Sequence, residues 1–284
     1  MGVNTKHKDS LFSFLFSNPD VLRELYCALE GVTLPPDVPV TINTLQDVLF
    51  MDRVNDISFE IGGKLVILIE HQSTINPNMA LRLLMYIARV YEKITKEKNI
   101  YSSRPLSIPR PEFFVLYNGI AAHPDEQILR LSDAFESGSS LGIPEKAEWA
   151  LELVVKVINI NHGKNEGIAR KCKMLAGYSA FIGKVREYEN EGYAKEEAMK
   201  TAIKYCREHN ILKEILEANA SEVMNMLITE WNWDDAKKVW HEEGVEEGRE
   251  EGREEVARNA LAEGASIEFV QKITGLDIET IKSL

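Results

Sequence analysis

Three cysteines, Cys27, Cys172 and Cys206, are all that 284 residues contain, and they are isolated and odd in number. That leaves no basis for a disulfide framework or a cysteine-built zinc cluster, and a reducing cytoplasm is the expected setting. No apolar run approaches the length of a membrane span, so no membrane partner is expected. The opening MGVNTKHKDSLFSFLF has no long apolar signal core. Its Met-Gly start does not read as a myristoylation signal, because Lys6 stands where that signal needs Ser or Thr. Positive charge is scarce as well. The 33 Lys and Arg face 45 Asp and Glu, a net charge of −12, which counts against a generally basic nucleic-acid surface. Hydrophobic residues are not scarce: at 44% of the chain they suffice for a full core and an appended domain.

What the sequence does hold is the segment DISFEIGGKLVILIEHQ, residues 56–72. Successive side chains on a strand point to opposite faces. Ile57, Phe59 and Ile61 therefore share one face of a first strand, and Asp56, Ser58 and Glu60 the other. On the next strand Leu65, Ile67, Ile69 and His71 alternate with Val66, Leu68, Glu70 and Gln72. Gly62-Gly63 between them signals a hairpin. A two-residue loop would pair Asp56 with Ile69 and set polar against apolar faces, so that register is disfavoured. A three-residue loop of Gly62, Gly63 and Lys64 instead pairs Ile57, Phe59 and Ile61 with Ile69, Ile67 and Leu65. Asp56 then lies opposite Glu70.

Two facing carboxylates suit magnesium, which takes oxygen ligands, keeps several waters and is held by one or two carboxylates plus substrate phosphate. Asp56 and Glu70 are the expected metal ligands, and a backbone carbonyl near His71 is a further oxygen. Gln72, on the face of Glu70, is placed to orient an attacking water. Such a site lowers the pKa of bound water and stabilises charge on a phosphate.

With these residues in view, the segment resembles the PD-(D/E)xK nuclease superfamily. More specifically, IEHQST followed by NMALRLLMYI, with the early KDSLFSFLFSNP and a Glu/Gly-rich C-terminal tract, resembles the Rpn-type recombination-promoting nucleases, also called YhgA-like transposases. The resemblance covers most of the chain. It implies an α/β fold, a restriction-endonuclease-like mixed sheet flanked by helices, with an all-helical C-terminal extension. It also implies DNA endonuclease activity with Mg2+ or another divalent cation, carried by Asp56, Glu70 and Gln72, in recombination or mobile elements, with DNA as partner. Two positions depart from the superfamily pattern. Asn55 replaces the proline before the aspartate, and Gln72 replaces the lysine, giving an amide that hydrogen-bonds but carries no charge. Lys64, in the predicted turn, is too distant to substitute. Arg82 on the following helix is the candidate phosphate contact.

Each residue also has a structural reading. Asp56, Glu60 and Glu70 can be solvated strand carboxylates and His71 a packed histidine, and Arg82 and Tyr86, four apart on one helical face, can serve salt bridging or the edge of the core rather than DNA contact. The rival to the enzyme is a catalytically weak or inactive nuclease-fold module that binds DNA or protein.

Along the chain, residues 1–165 form the expected nuclease core: a helix from Leu11 to Glu30, the hairpin, a helix from Met79 to Lys96, and strands near Phe113 and Leu153. Residues 101–111 and 118–150 read as surface excursions. Residues 166–240 read as a helical extension. Residues 241–256, HEEGVEEGREEGREEV, hold eight glutamates against two arginines, half of the chain's net charge. Glycine at every fourth place costs a helix roughly 1 kcal/mol each, so a frayed helix or linker is expected. Residues 257–284 read as a three-helix unit with stops at Gly264 and Gly275 and N-caps at Ser266 and Asp277. Its charges, three positive and four negative, favour packing or homo-oligomer formation through the C-terminal helices over DNA contact.

Overall fold

The computed structural model describes residues 10–43, 57–142 and 149–283, with side chains described for these except 230–251 and 282–283. Six strands form one mixed sheet: β1 (Val40–Ile42), β2 (Ile57–Ile61), β3 (Leu65–Gln72), β4 (Arg110–Tyr117), β5 (Glu126–Arg130) and β6 (Val154–Asn159), in the order β1-β2-β3-β4-β6-β5. The centre, β3-β4-β6, is parallel, and β1, β2 and β5 join it antiparallel. Helices flank the sheet and the C-terminal region is helical, the architecture expected from the sequence.

The β2–β3 hairpin takes the three-residue register, with Ile57 opposite Ile69 and Ile61 opposite Leu65. Both turn glycines adopt positive φ, 59° and 63°, a conformation costly for residues with a Cβ. The Lys64 N–H closes the turn on the Ile61 carbonyl at 3.0 Å.

Helix α3 (Met79–Thr95) covers one face of the sheet. Its Met79, Leu83, Tyr86, Ile87 and Val90 pack with Val66 and Leu68 of β3, Val115 and Tyr117 of β4, and Val155 and Val157 of β6. The opposite face meets α1 (Leu11–Leu15) and α5 (Lys173–Asn190), where Phe12 and Tyr178 contact His71 of β3. The single helix expected from Leu11 to Glu30 is two, α1 and α2 (Pro19–Glu30). Asn18 starts the second by accepting the Asp20 N–H at 2.8 Å, and Pro19 stands at its first position. A proline there begins a helix readily and disfavours a helical residue before it.

Two strands were not expected. β1 lies in a proline-rich approach, and β5 falls inside the stretch read as a surface excursion. Both are short edge strands with mostly exposed residues, which blurs the alternation that reveals a strand.

After β6 come α4 (Glu166–Ala169), α5, α6 (Lys195–Glu208) and α7 (Lys213–Ala262), which departs from helical geometry at Asn219. The chain forms two compact units, the first ending at Ile228 and the second beginning at Thr229. Where a frayed helix or linker was expected, the backbone of residues 241–256 is helical. A helix continuing from both sides needs only propagation across its glycines, not a new nucleus.

In the second unit the expected stops and caps occur. Gly264 and Gly275 take positive φ of 86° and 72°. Ser266 Oγ accepts the Phe269 N–H at 3.3 Å and starts α8 (Ile267–Thr274), and Asp277 Oδ1 accepts the Thr280 N–H at 2.9 Å beside α9 (Ile278–Ser283). Ala257, Val270, Leu276 and Ile281 form its small core.

Candidate functional site: a buried carboxylate beneath α3

Strand alternation turns Val66, Leu68, Glu70 and Gln72 toward α3, so the apolar run of β3 ends in two polar side chains under the first turns of that helix. The connection is built for the return. Asn76 Oδ1 accepts the Asn78 N–H at 2.9 Å and the Asn76 carbonyl accepts the Met79 N–H at 3.2 Å. This local turn brings Met79 back onto β3, where Gln72 Nε2 meets its sulfur at 2.8 Å. The Gln72 amide oxygen is 3.4 Å from the Asn76 N–H, a long and weak contact.

One turn into α3, Arg82 reaches the same place. Its Nη2 donates to Glu70 Oε2 at 3.0 Å and to the Tyr86 hydroxyl at 3.2 Å, and its Nη1 lies 3.3 Å from Met79 Sδ. The guanidinium also stands 5.9 Å from the centre of the Tyr86 ring, within cation–π range. Glu70 is 3% exposed, although charged residues are rarely buried without a partner. Arg82 and Tyr86 thus share a helical face, as their spacing predicts, and Arg82 forms the salt bridge that was its structural reading.

Asp56 lies outside the described residues; the described ladder begins at Ile57 opposite Ile69. Glu60 accepts from Asn43 Nδ2 at 3.0 Å, a structural partner. Lys64 is exposed in the hairpin turn, at the end of β3 away from Gln72. Lys93 stands eleven residues beyond Arg82 on α3, about 16 Å along the axis at the usual helical rise, and is remote from Glu70.

His71 projects to the other face. It stacks on Phe12 with ring centres 4.7 Å apart and shares a 2.9 Å hydrogen bond between Nε2 and the Tyr178 hydroxyl. Burial, reinforced by the charge of Arg186, pushes its pKa down to about 4, so the ring is neutral at physiological pH.

Tyr178 leads to a network that the sequence reading missed. Its hydroxyl accepts from Asn118 Nδ2 at 3.2 Å, and Arg186 donates to Asn118 Oδ1 at 3.2 Å, to Asn161 Oδ1 at 2.6 Å and to the Asn118 carbonyl. Asn161 Nδ2 in turn donates to Asn159 Oδ1 at 2.9 Å and to the Gly119 carbonyl at 3.0 Å. The network ties together the ends of the three parallel strands, the edge where open α/β sheets place their sites. A legible signal existed: the apolar run LVILI is followed by Glu-His-Gln, and FFVLY and VVKVI are each followed by Asn. Gly119 completes the junction, because a Cβ there would lie 2.0 Å from the Ser73 carbonyl oxygen.

The donors suit a hard cation in kind. Glu70 and the Gln72 amide offer oxygen, as magnesium requires. Ser58, on the sheet face of Glu70 and diagonal to it in the ladder, is buried, and its hydroxyl has no hydrogen-bond partner among the described residues. A further oxygen donor therefore lies on the same face as Glu70. The described residues contain no cluster of three or more His, Cys, Asp or Glu able to hold a metal; magnesium needs only one or two carboxylates.

Among the described residues, no helix is long and apolar enough to cross a membrane. Comparison with curated proteins and with solved structures yields no match. A family model described as "Putative transposase, YhgA-like" matches residues 32–176, from just before β1 into the start of α5 and across every strand of the sheet. That span is slightly more than half of the 284 residues, and the chain belongs to the YhgA-like transposase family.

Proposed function

We propose that this chain is a divalent-metal-dependent DNA endonuclease that hydrolyses phosphodiester bonds, associated with recombination or mobile elements as the family description suggests. The observation that carries the reading is the Glu70 carboxylate, held 3% exposed at the end of a central parallel strand, with Gln72 and Arg82 converging beside it. A carboxylate buried in an apolar cluster is costly, and its placement at the carboxyl ends of the strands is where α/β sheets present chemistry.

In this reading Glu70 and Asp56 hold the ion, with Mg2+ the expected metal. The bound ion would supply charge stabilisation at the scissile phosphate and a lowered pKa for the attacking water. Gln72 orients that water through its amide. Arg82, with its planar fork of donors, contacts a phosphate oxygen. The acidic segment 241–256 carries half of the chain's net −12.

Purified protein incubated with plasmid DNA and Mg2+ or Mn2+ tests the reading. Nicked or linear product is expected from the wild type and not from Asp56→Ala or Glu70→Ala. Intact plasmid across salt and pH, or variants that cut as well as wild type, defeats it.

A second reading is a nuclease fold that binds DNA or a partner protein without turnover. It is favoured by the pairing of Glu70 with Arg82 and by the neutral amide at position 72. DNA retention in a filter-binding assay without cleavage under every metal condition would select it.

A further inference from the structure

The Gln72 amide and the Arg82 guanidinium meet at one atom, Met79 Sδ, at 2.8 and 3.3 Å. Position 72 carries no charge, yet a permanent cation arrives at the same sulfur from α3. The other nitrogen of that cation rests on Glu70 Oε2 at 3.0 Å. Resting on the endonuclease reading above, we propose that Arg82 is the phosphate-facing cation of the site and competes with a divalent cation for the Glu70 carboxylate, turning to phosphate when it loses that competition.

Three features support the competition. Arg82 Nη2 occupies one of the two Glu70 carboxylate oxygens and brings a positive charge beside both, so it opposes a divalent cation on the same group. The partners are unequal in access: the Glu70 side chain is 4% exposed and that of Arg82 22%. Glu70 is fixed on a central strand, whereas Arg82 has a long stem with one side to solvent and is the partner able to leave. The pair also touches Met79 and Tyr86 of the apolar cluster under α3, where two charges cost desolvation that apolar residues of similar volume would not. A buried pair of this kind is weak support for stability alone.

The handover also fits the chemistry of the two side chains. While it rests on Glu70, the guanidinium has one of its nitrogens engaged by Oε2. Once displaced, its fork of N–H donors matches two phosphate oxygens. Gln72 cannot perform that task, since an amide offers donors without charge; its bond to Met79 places it beside the cation.

Titration of the full-length chain with Mn2+, followed by the electron paramagnetic resonance signal of unbound ion, tests the competition apart from catalysis. Arg82→Gln should bind Mn2+ about tenfold tighter than wild type, a normal size for coupling between two binding events, and Glu70→Gln should lose the tight site. In plasmid cleavage Arg82→Gln should fall about 100-fold, the usual cost of one transition-state charge contact. Adding Gln72→Lys to Arg82→Gln should return most of the activity by moving the charge to the strand.

Unchanged Mn2+ affinity in Arg82→Gln overturns the competition, and unchanged cleavage overturns the phosphate role. Should that variant fail to fold by circular dichroism, Arg82→Lys carries the same comparison: tighter Mn2+ binding and weaker cleavage than wild type support the proposal, and wild-type values overturn it. A wild-type chain that leaves plasmid intact defeats the endonuclease reading and the phosphate role with it, while the Mn2+ titrations still decide the competition.

Discussion

Arg82 Nη2 lies 3.0 Å from Glu70 Oε2, and only the arginine of the two reaches solvent appreciably. The two truncations should therefore differ. Arg82→Ala leaves a carboxylate buried without its counter-charge and should destabilise the first unit by about 3 kcal/mol. Glu70→Ala leaves a guanidinium that can turn outward, and should cost about half as much. Urea denaturation of both variants checks the order, and equal losses would refute the argument from exposure.

His71 supplies a pH dependence. Its folded pKa of about 4 lies below the ordinary 6.5, because burial disfavours the charged ring. The fold therefore binds fewer protons than the unfolded chain between those values. The stabilisation is fully present above about pH 6.5 and shrinks as pH falls toward 4, by about 3 kcal/mol over that window. Unfolding free energies of wild type and His71→Gln measured from pH 7 to 4.5 should converge as pH falls; parallel curves would contradict a neutral buried ring.

Tyr178→Phe removes an oxygen that joins His71 to Asn118 while preserving the ring edge-on to Phe12. A loss of about 1–3 kcal/mol is expected from a buried hydrogen-bonding group deprived of its partner. Thermal unfolding checks it. Hydrogen exchange should locate the effect at the carboxyl ends of β3 and β4, and a uniform change across the sheet would show that the hydroxyl does not anchor those ends.

Gly252 sits in α7 with nothing within 4 Å of where a Cβ would be. Gly252→Ala should stabilise that helix by about 1 kcal/mol, seen as a higher midpoint for the loss of helical circular dichroism. A lower midpoint would mean that the glycine is required by a neighbour.

Much of this was legible in the sequence because it depends on local pattern. The hairpin register follows from apolar alternation and two glycines, and the caps at Ser266 and Asp277 follow from side-chain chemistry beside helix stops. The meeting of Gln72, Met79 and Arg82 was not legible. It depends on how residues 73–78 fold the chain back, and no periodicity encodes that path. The asparagines at 118, 159 and 161 were visible as polar ends of apolar runs, but their shared partner, Arg186, comes from a helix that the fold alone brings there. The strands β1 and β5 escaped because short, exposed edges have little hydrophobic contrast.

The three-residue turn at Gly62, Gly63 and Lys64 fixes more than a hairpin. Consecutive residues at the end of β3 serve opposite sides of the sheet, a carboxylate and an amide under one helix and an imidazole among aromatic rings on the other. Closing the same chain with a two-residue turn, which slides β3 by one position, would exchange these tenants, bringing a histidine to Arg82 and a glutamate against Phe12. The number of residues in the turn is thus a phase setting for the whole hairpin, and the same chain closed one residue tighter would carry every side chain of the site and have it on the wrong side.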